Sequence, residues 1–240
     1  MISNSNKYSE TYLKTIHNQV SAIFNYACKY HRLAENPARG CGSMGKKNAD
    51  AMKFWMIDKF NQFVSTVEDK FMSKTIFNLL FWSGMRSGEL LALTLNDFDF
   101  SSQTVSISKS YARVKREDLI LPPKTPKSKR KITLPPFLCD IVKEYSKKLV
   151  CYDPNYRLFS IMKCYINHEM IRGCKKSGVK KIRVHDLRHS HASLLIEMGF
   201  SPLLLSERLG HEDIKTTLQT YSHLYPNKQA EVAEKLEKLH

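Results

Sequence analysis

Apolar residues recur near a 3.6-residue period across residues 9–38, at Tyr12, Ile16, Val20, Ile23, Phe24, Ala27 and Tyr30. That period predicts an amphipathic helix, and Asn36-Pro37 predicts its end. A second apolar series opens at Phe54. Phe54, Trp55, Ile57, Phe60 and Phe63 suggest one helix, and residues 76–82 a largely buried second one. Ser83-Gly84-Met85-Arg86-Ser87-Gly88-Glu89 breaks the pattern before Leu90, Leu91 and Leu93 resume it. The period then shortens to two. Phe98-Asp99-Phe100 and residues 104–108 read as short strands, and Ile132 with Leu134 suggests a third, stopped by Pro135-Pro136. Helices are expected again at 135–149, at 166–177, and at 227–240 through Val232, Ala233, Leu236 and Leu239. The fold class predicted is mainly α with a small antiparallel β-sheet (α+β).

Composition narrows the class of partner. With 38 Lys+Arg against 23 Asp+Glu, the 240-residue chain carries a formal charge of +15. Such an excess favours a polyanion, nucleic acid ahead of a membrane surface. No apolar run approaches the ~20 residues needed to cross a bilayer. The polar N-terminus (Ser3, Asn4, Ser5, Asn6, Lys7) lacks a signal peptide's apolar core. Six scattered cysteines without a C-x-x-C suit a reduced compartment, so the expected location is the cytoplasm. Gly40-x4-Gly45-Lys46 imitates the start of a Walker A loop, but Lys47 stands where a hydroxyl should hold magnesium and no apolar strand precedes it. We read residues 40–47 as an interdomain linker.

The chemistry concentrates in 184–224. Val184-His185-Asp186-Leu187-Arg188-His189 looks like a helix start, with His185 and Arg188 three apart and on one face. Gly210 can end the next helix and Asp213 can cap a third, placing His211 on a turn and Tyr221 well inside the last helix. Upstream, Arg86 sits in a Gly-flanked turn beside a helix N-terminus, a good place to meet a phosphate. Between the last two strands, residues 124–131 hold five basic side chains: Lys124, Lys127, Lys129, Arg130 and Lys131. Lys180, Lys181 and Arg183 form a second basic cluster just before His185. Both runs also suit solvated surface. On the phosphate reading, Lys127, Lys129, Arg130, Lys180, Lys181 and Arg183 contact DNA, giving orientation and salt-sensitive affinity rather than sequence choice.

His185-x-x-Arg188, then Leu209-Gly210-His211, then Tyr221 ten residues on resembles the C-terminal signature of the tyrosine recombinases, the phage-type and conjugative-transposon integrases. Ser83-Gly84-Met85-Arg86-Ser87-Gly88-Glu89 resembles that family's first catalytic arginine motif, with Glu89 as the acidic companion. Lys124-Thr125 best matches its hairpin lysine; Lys127 is the rival, because the insert at 112–122 is longer than the motif needs. The resemblance implies two domains. Residues 1–46 would be the tail of a helical core-binding domain plus linker, the rest of which would precede this chain in a longer protein. Residues 47–240 would be the catalytic domain.

It further implies a site-specific recombinase of a mobile element, working on double-stranded DNA as a homo-tetramer, with no metal and no nucleotide cofactor. Tyr221 would be the nucleophile, Arg86 and Arg188 the phosphate clamp and His211 a further donor. His185 would be the base and Lys124 the acid toward the leaving oxygen. The C-terminal helix could pass to a neighbouring subunit.

Two other readings compete. His185-Asp186-Leu187-Arg188-His189 is a zincin-like HExxH with Asp in place of Glu, weakened by an arginine between the two histidines. The helices of 201–223 could instead form the helix-turn-helix of a DNA-binding regulator, which leaves Arg86, Lys124 and Tyr221 without a purpose. His189 and His191 have no assigned role.

Overall fold

The computed structural model describes residues 8–45, 53–123, 125–149, 153–225 and 236–237. The chain divides into two compact units, Met1–Met52 and Lys53–His240.

In the first unit α1 (Glu10–Tyr30) starts on Ser9, whose side chain accepts from the Tyr12 amide. It stops at Tyr30, earlier than the Asn36-Pro37 expected, because Arg32 takes a left-handed backbone (φ 57°). Asn36 then has the opposite role from the one predicted. It caps a short helix, α2 (Pro37–Gly40), while its amide nitrogen donates to Ser21 and Asn25 on α1. A helical turn, not a strand, thus precedes the Walker-like glycines; Lys46 and Lys47 lie outside the described residues.

The second unit is built around α4 (Phe71–Ser83), apolar on nearly every side and therefore interior. Around it pack α3 (Ile57–Val64), α6 (Pro136–Lys147), α7 (Lys163–Ser177) and α8 (Asp186–Glu197). At the start of the unit, the Trp55 amide donates to Ser190 on α8 and its indole N–H to the Lys180 carbonyl.

The sheet is antiparallel, in the order β1 (Phe98–Asp99), β2 (Thr104–Ile107), β5 (Arg130–Thr133), with Val105 opposite Ile132 and both side chains buried. Between β2 and β5 the chain adds a hairpin that periodicity missed, β3 (Ser110–Val114) with β4 (Glu117–Leu121). Its turn residues, Lys115 and Arg116, both have positive φ. Asn-Gly normally marks such a turn, and no such pair stands here. After α5 (Ser87–Ala92), the helices α9 (Pro202–Leu209) and α10 (Ile214–Tyr221) complete the unit. The C-terminal helix expected at 227–240 falls almost wholly outside the described residues; Leu236 and Glu237 are helical.

Close approach of α7 to α3 depends on Gly173. A Cβ there would lie 2.4 Å from a Phe63 ring carbon and 2.9 Å from a Val67 methyl. Gly173→Val is expected to lower stability by about 1–3 kcal/mol through overpacking, read from the midpoint of urea unfolding at unchanged m-value.

Candidate active site

Two left-handed glycines end the helices that frame the site. Gly84 (φ 67°) closes α4 and Gly210 (φ 66°) closes α9. A Cβ on Gly84 would meet the His191 ring at 2.5 Å, so this position tolerates no side chain. Between the two helix ends lies the Arg188 guanidinium, 3% exposed, donating from Nη1 to the Gly84 carbonyl (2.8 Å) and from Nη2 to the Leu209 carbonyl (2.6 Å). Burial, then the charge of Arg86, pulls its pKa down to about 9, which leaves it cationic at neutral pH.

Arg86 is the N-cap of α5. Its backbone N–H and its Nη1 both donate to the Glu89 carboxylate, at 2.8 and 2.9 Å. Glu89 also receives two bonds from Arg130 on β5 (3.2 and 2.9 Å). Burial alone would raise the Glu89 pKa; the bonds and charge of Arg130, helped by Arg86, outweigh it and lower it. Arg130 is therefore no exposed DNA contact of a basic loop, as the sequence suggested. Its side chain is 6% exposed, and Nε donates to the Arg208 carbonyl on α9 at 2.8 Å. It joins the sheet, α5 and α9.

Asp213 caps α10 as expected, and His211 stands on the turn before it. The His211 Nδ1 lies 2.7 Å from the buried Thr217 hydroxyl. Tyr221 is the last residue of α10 rather than well inside it, and it is 1% exposed. Burial pushes its phenol up to about 12, against the pull of Arg188 and then Arg86. The partner of its hydroxyl is a residue the sequence reading left idle, His189, whose Nδ1 is 2.7 Å away. No spacing argument pointed to that pair; the one available signal was a histidine directly after Arg188. The expected base, His185, is solvent-accessible at the start of α8, with its ring edge-on to His189 and centroids 5.2 Å apart.

Four histidines of this region, His185, His189, His191 and His211, are held below the usual imidazole range. For His185 the causes are burial and then Arg188. His189 falls to about 4 through burial and then His185, and His211 to about 4 through burial and then Arg188, Arg86 and Arg130. His191, wholly enclosed and accepting at Nε2 from Arg208 Nε (3.0 Å), falls to about 3.

A cavity of about 390 Å³ opens beside these groups, lined by Arg86, Glu89, Lys109, Thr125, His211 and Thr216 among others. Lys124 lies outside the described residues, although both its neighbours, Pro123 and Thr125, line this cavity. Lys127 is exposed and donates to the Glu212 carbonyl at 2.9 Å, next to His211. Lys129, Lys180, Lys181 and Arg183 are exposed, and Arg183 pairs with Asp186. That pairing bears on the zincin-like alternative. Its general base would be Asp186, which is 1% exposed and holds both the Arg183 backbone N–H and its guanidinium.

The fold and its relatives are those of a tyrosine recombinase catalytic domain. The chain belongs to the Phage integrase family, whose profile matches residues 52–228. It is 32% identical to the ICEBs1 integrase of Bacillus subtilis (strain 168) over 243 residues, covering 95% of this chain and 65% of that protein. It is 34% identical to an integrase of Staphylococcus phage L54a over 177 residues, covering 65% and 49%. The chain thus spans about half to two thirds of the length of these relatives.

Among solved structures, the Tn1549 transposon integrase, in complex with a circular intermediate DNA, shares the fold with a TM-score of 0.79 at 19% identity, over 98% of this chain and 81% of that one. The catalytic domain of bacteriophage HP1 integrase does so with a TM-score of 0.55 at 20% identity, over 77% and 94%. Among the described residues no helix is long and apolar enough to cross a membrane.

Two outcomes test the electrostatics. Arg130→Met strands the buried Glu89 carboxylate with Arg86 alone and is expected to cost about 3 kcal/mol in denaturant unfolding. Because the His191 pKa is depressed on folding, the unfolded chain binds more protons between about pH 6.5 and pH 3. Stability contributed by neutral His191 is therefore complete above pH 6.5 and declines on acidification, by up to about 1.4 kcal/mol per pH unit. Tm measured from pH 7.5 to pH 4.5 should fall, and fall less steeply in His191→Gln.

Proposed function

We propose that this chain is the DNA-breaking and rejoining part of a mobile-element integrase, and that Tyr221 attacks a DNA phosphodiester to form a 3′-phosphotyrosyl intermediate. The observation that carries the reading is electrostatic. Arg86 and Arg188 lie close enough to oppose one another's charge, and both act on the Tyr221 phenol. Two guanidiniums suit the two non-bridging oxygens of one phosphate, in a geometry Lys cannot reproduce.

With the phosphate seated, the clamp neutralises an anion that otherwise repels nucleophiles, and it holds the charge that grows on the equatorial oxygens in the transition state. His211 is neutral at physiological pH; with the Thr217 hydroxyl donating to Nδ1, the proton rests on Nε2 and is available to the same oxygens. The Oη–P bond forms as the P–O5′ bond breaks, and the hairpin lysine, Lys124 or its rival Lys127, protonates the departing 5′ oxygen. On the motif alone, the phenol's own proton goes to His185. The phosphotyrosyl ester keeps the energy of the broken bond, so a 5′-hydroxyl from another strand reverses the step. Neither a metal nor ATP has a part in this scheme.

In the DNA-free chain the nucleophile is covered, so binding of DNA must uncover it. Lys127, Lys129, Lys180, Lys181 and Arg183 form the exposed basic surface on which a duplex would rest, in assemblies of four protomers.

The test is a nicked half-site DNA carrying the element's core sequence, incubated in EDTA. An SDS-resistant adduct on the 3′ side is expected from the wild type. Tyr221→Phe should form none while binding the same DNA with nearly unchanged affinity. An adduct that survives in Tyr221→Phe places the nucleophile elsewhere, and an adduct that requires added metal contradicts the scheme.

A further inference from the structure

We propose that His189 is a catalytic residue, taking the phenolic proton of Tyr221 onto Nδ1 as the tyrosine oxygen attacks phosphorus. The proposal rests on the reading of Tyr221 as the nucleophile, and it moves the role of base from His185, where the motif alone put it, to the next histidine on the helix.

The hydroxyl of Tyr221 has one hydrogen-bonding partner among the described residues, His189 Nδ1 at 2.7 Å. A general base must first be within such reach of the proton it removes. His185 stands one step further out, meeting the His189 ring edge-on at 5.2 Å between centroids. In the DNA-free chain Tyr221 is 1% exposed, so His189 rather than water is what its hydroxyl meets before a duplex binds. His189 itself is half-buried and neutral at physiological pH, so Nδ1 is free to accept while the ring's proton occupies Nε2.

His189 follows Arg188 on α8, so the acceptor and the clamp are carried by a single turn of helix. This has a consequence for timing. In the free protein His189 is a weak base, held down by burial and then by its neighbour His185. A phosphodiester on Arg86 and Arg188 brings a negative charge into the same enclosed space, and an opposite charge favours the imidazolium. The base therefore strengthens when the substrate arrives, and the phenol stays protonated when it is absent.

The step balances without any further reactant. The Oη–P bond forms and P–O5′ breaks. The phenolic proton ends on His189 Nδ1, and the proton of the hairpin lysine ends on O5′. In the rejoining step a 5′-hydroxyl attacks, returns its proton to the lysine, and the departing Tyr221 oxygen recovers its proton from His189.

The test compares single-turnover adduct formation on the nicked half-site DNA by the wild type, His189→Ala, His189→Asn and His185→Ala. Each is made with tyrosine and with 3,5-difluorotyrosine at position 221, whose more acidic phenol needs less help to ionise. Both His189 variants are expected to form adduct about 10²-fold more slowly than the wild type, with gel-shift affinity for the same DNA retained. Difluorotyrosine should restore much of that loss, and it should not restore His185→Ala to the same degree.

Asn keeps a polar group where Nδ1 stood, so His189→Asn separates proton transfer from mere anchoring of the phenol if His189→Ala fails to fold. His189→Asn cleaving as fast as the wild type, or a deficit that the fluorinated phenol leaves untouched, overturns the proposal. A wild type that forms no adduct at Tyr221 removes the nucleophile reading itself, and this proposal with it.

Discussion

A guanidinium almost without solvent, Arg188, is the constraint on which the rest of this domain depends. Moving such a cation out of water costs several kcal/mol, and this fold offsets the cost with two helix ends. Gly84 caps α4 and Leu209 closes α9, and each offers a carbonyl of the last turn, where the helix carries partial negative charge. Both carbonyls stand at or next to a left-handed glycine that ends its helix. Arg188 thereby fixes where the turn bearing Arg86 stands relative to the turn bearing His211.

Around it the charges are deliberately unbalanced. Glu89 is shared between Arg86 and Arg130. Arg86 opposes Arg188, and Arg130 opposes Arg208. The low pKa values of His185, His189 and His211 report this positive field together with burial. A site of this kind is relieved by an anion, which in the proposed reaction is the phosphodiester. Burial of Tyr221 works in the same direction, keeping the phenol protonated.

The exposed basic residues belong to a different layer of the design. Lys127, Lys129, Lys180 and Lys181 remain in water, where each charge adds little to stability but contributes to attraction of a polyanion. Arg130, from the same basic run, has been drawn inside by Glu89. One stretch of sequence thus divides between the surface and the framework of the pocket, and charge pattern alone does not say which residue goes where.

The sequence by itself indicated most of the helices and the three-stranded sheet, and it singled out the residues proposed for the clamp. Helical period, glycine stops and the Asp213 cap are local signals, and Arg86, Arg188, His211 and Tyr221 stood out through their spacing and their turns. Local chemistry did not reveal the β3–β4 hairpin, because Lys115 and Arg116 occupy a turn that usually advertises itself with glycine. Nor did it reveal the burial of Arg130, the cover over Tyr221 or the contact between Tyr221 and His189. Each of those joins residues far apart in the chain, 41 positions for Arg130 with Glu89 and 32 for Tyr221 with His189. The packing of α8 against α4, α9 and the end of α10 decides the surroundings of Tyr221, and that of β5 against α5 and α9 decides Arg130, because a hydrogen bond across such separations is set by where elements meet, not by the period along any one of them.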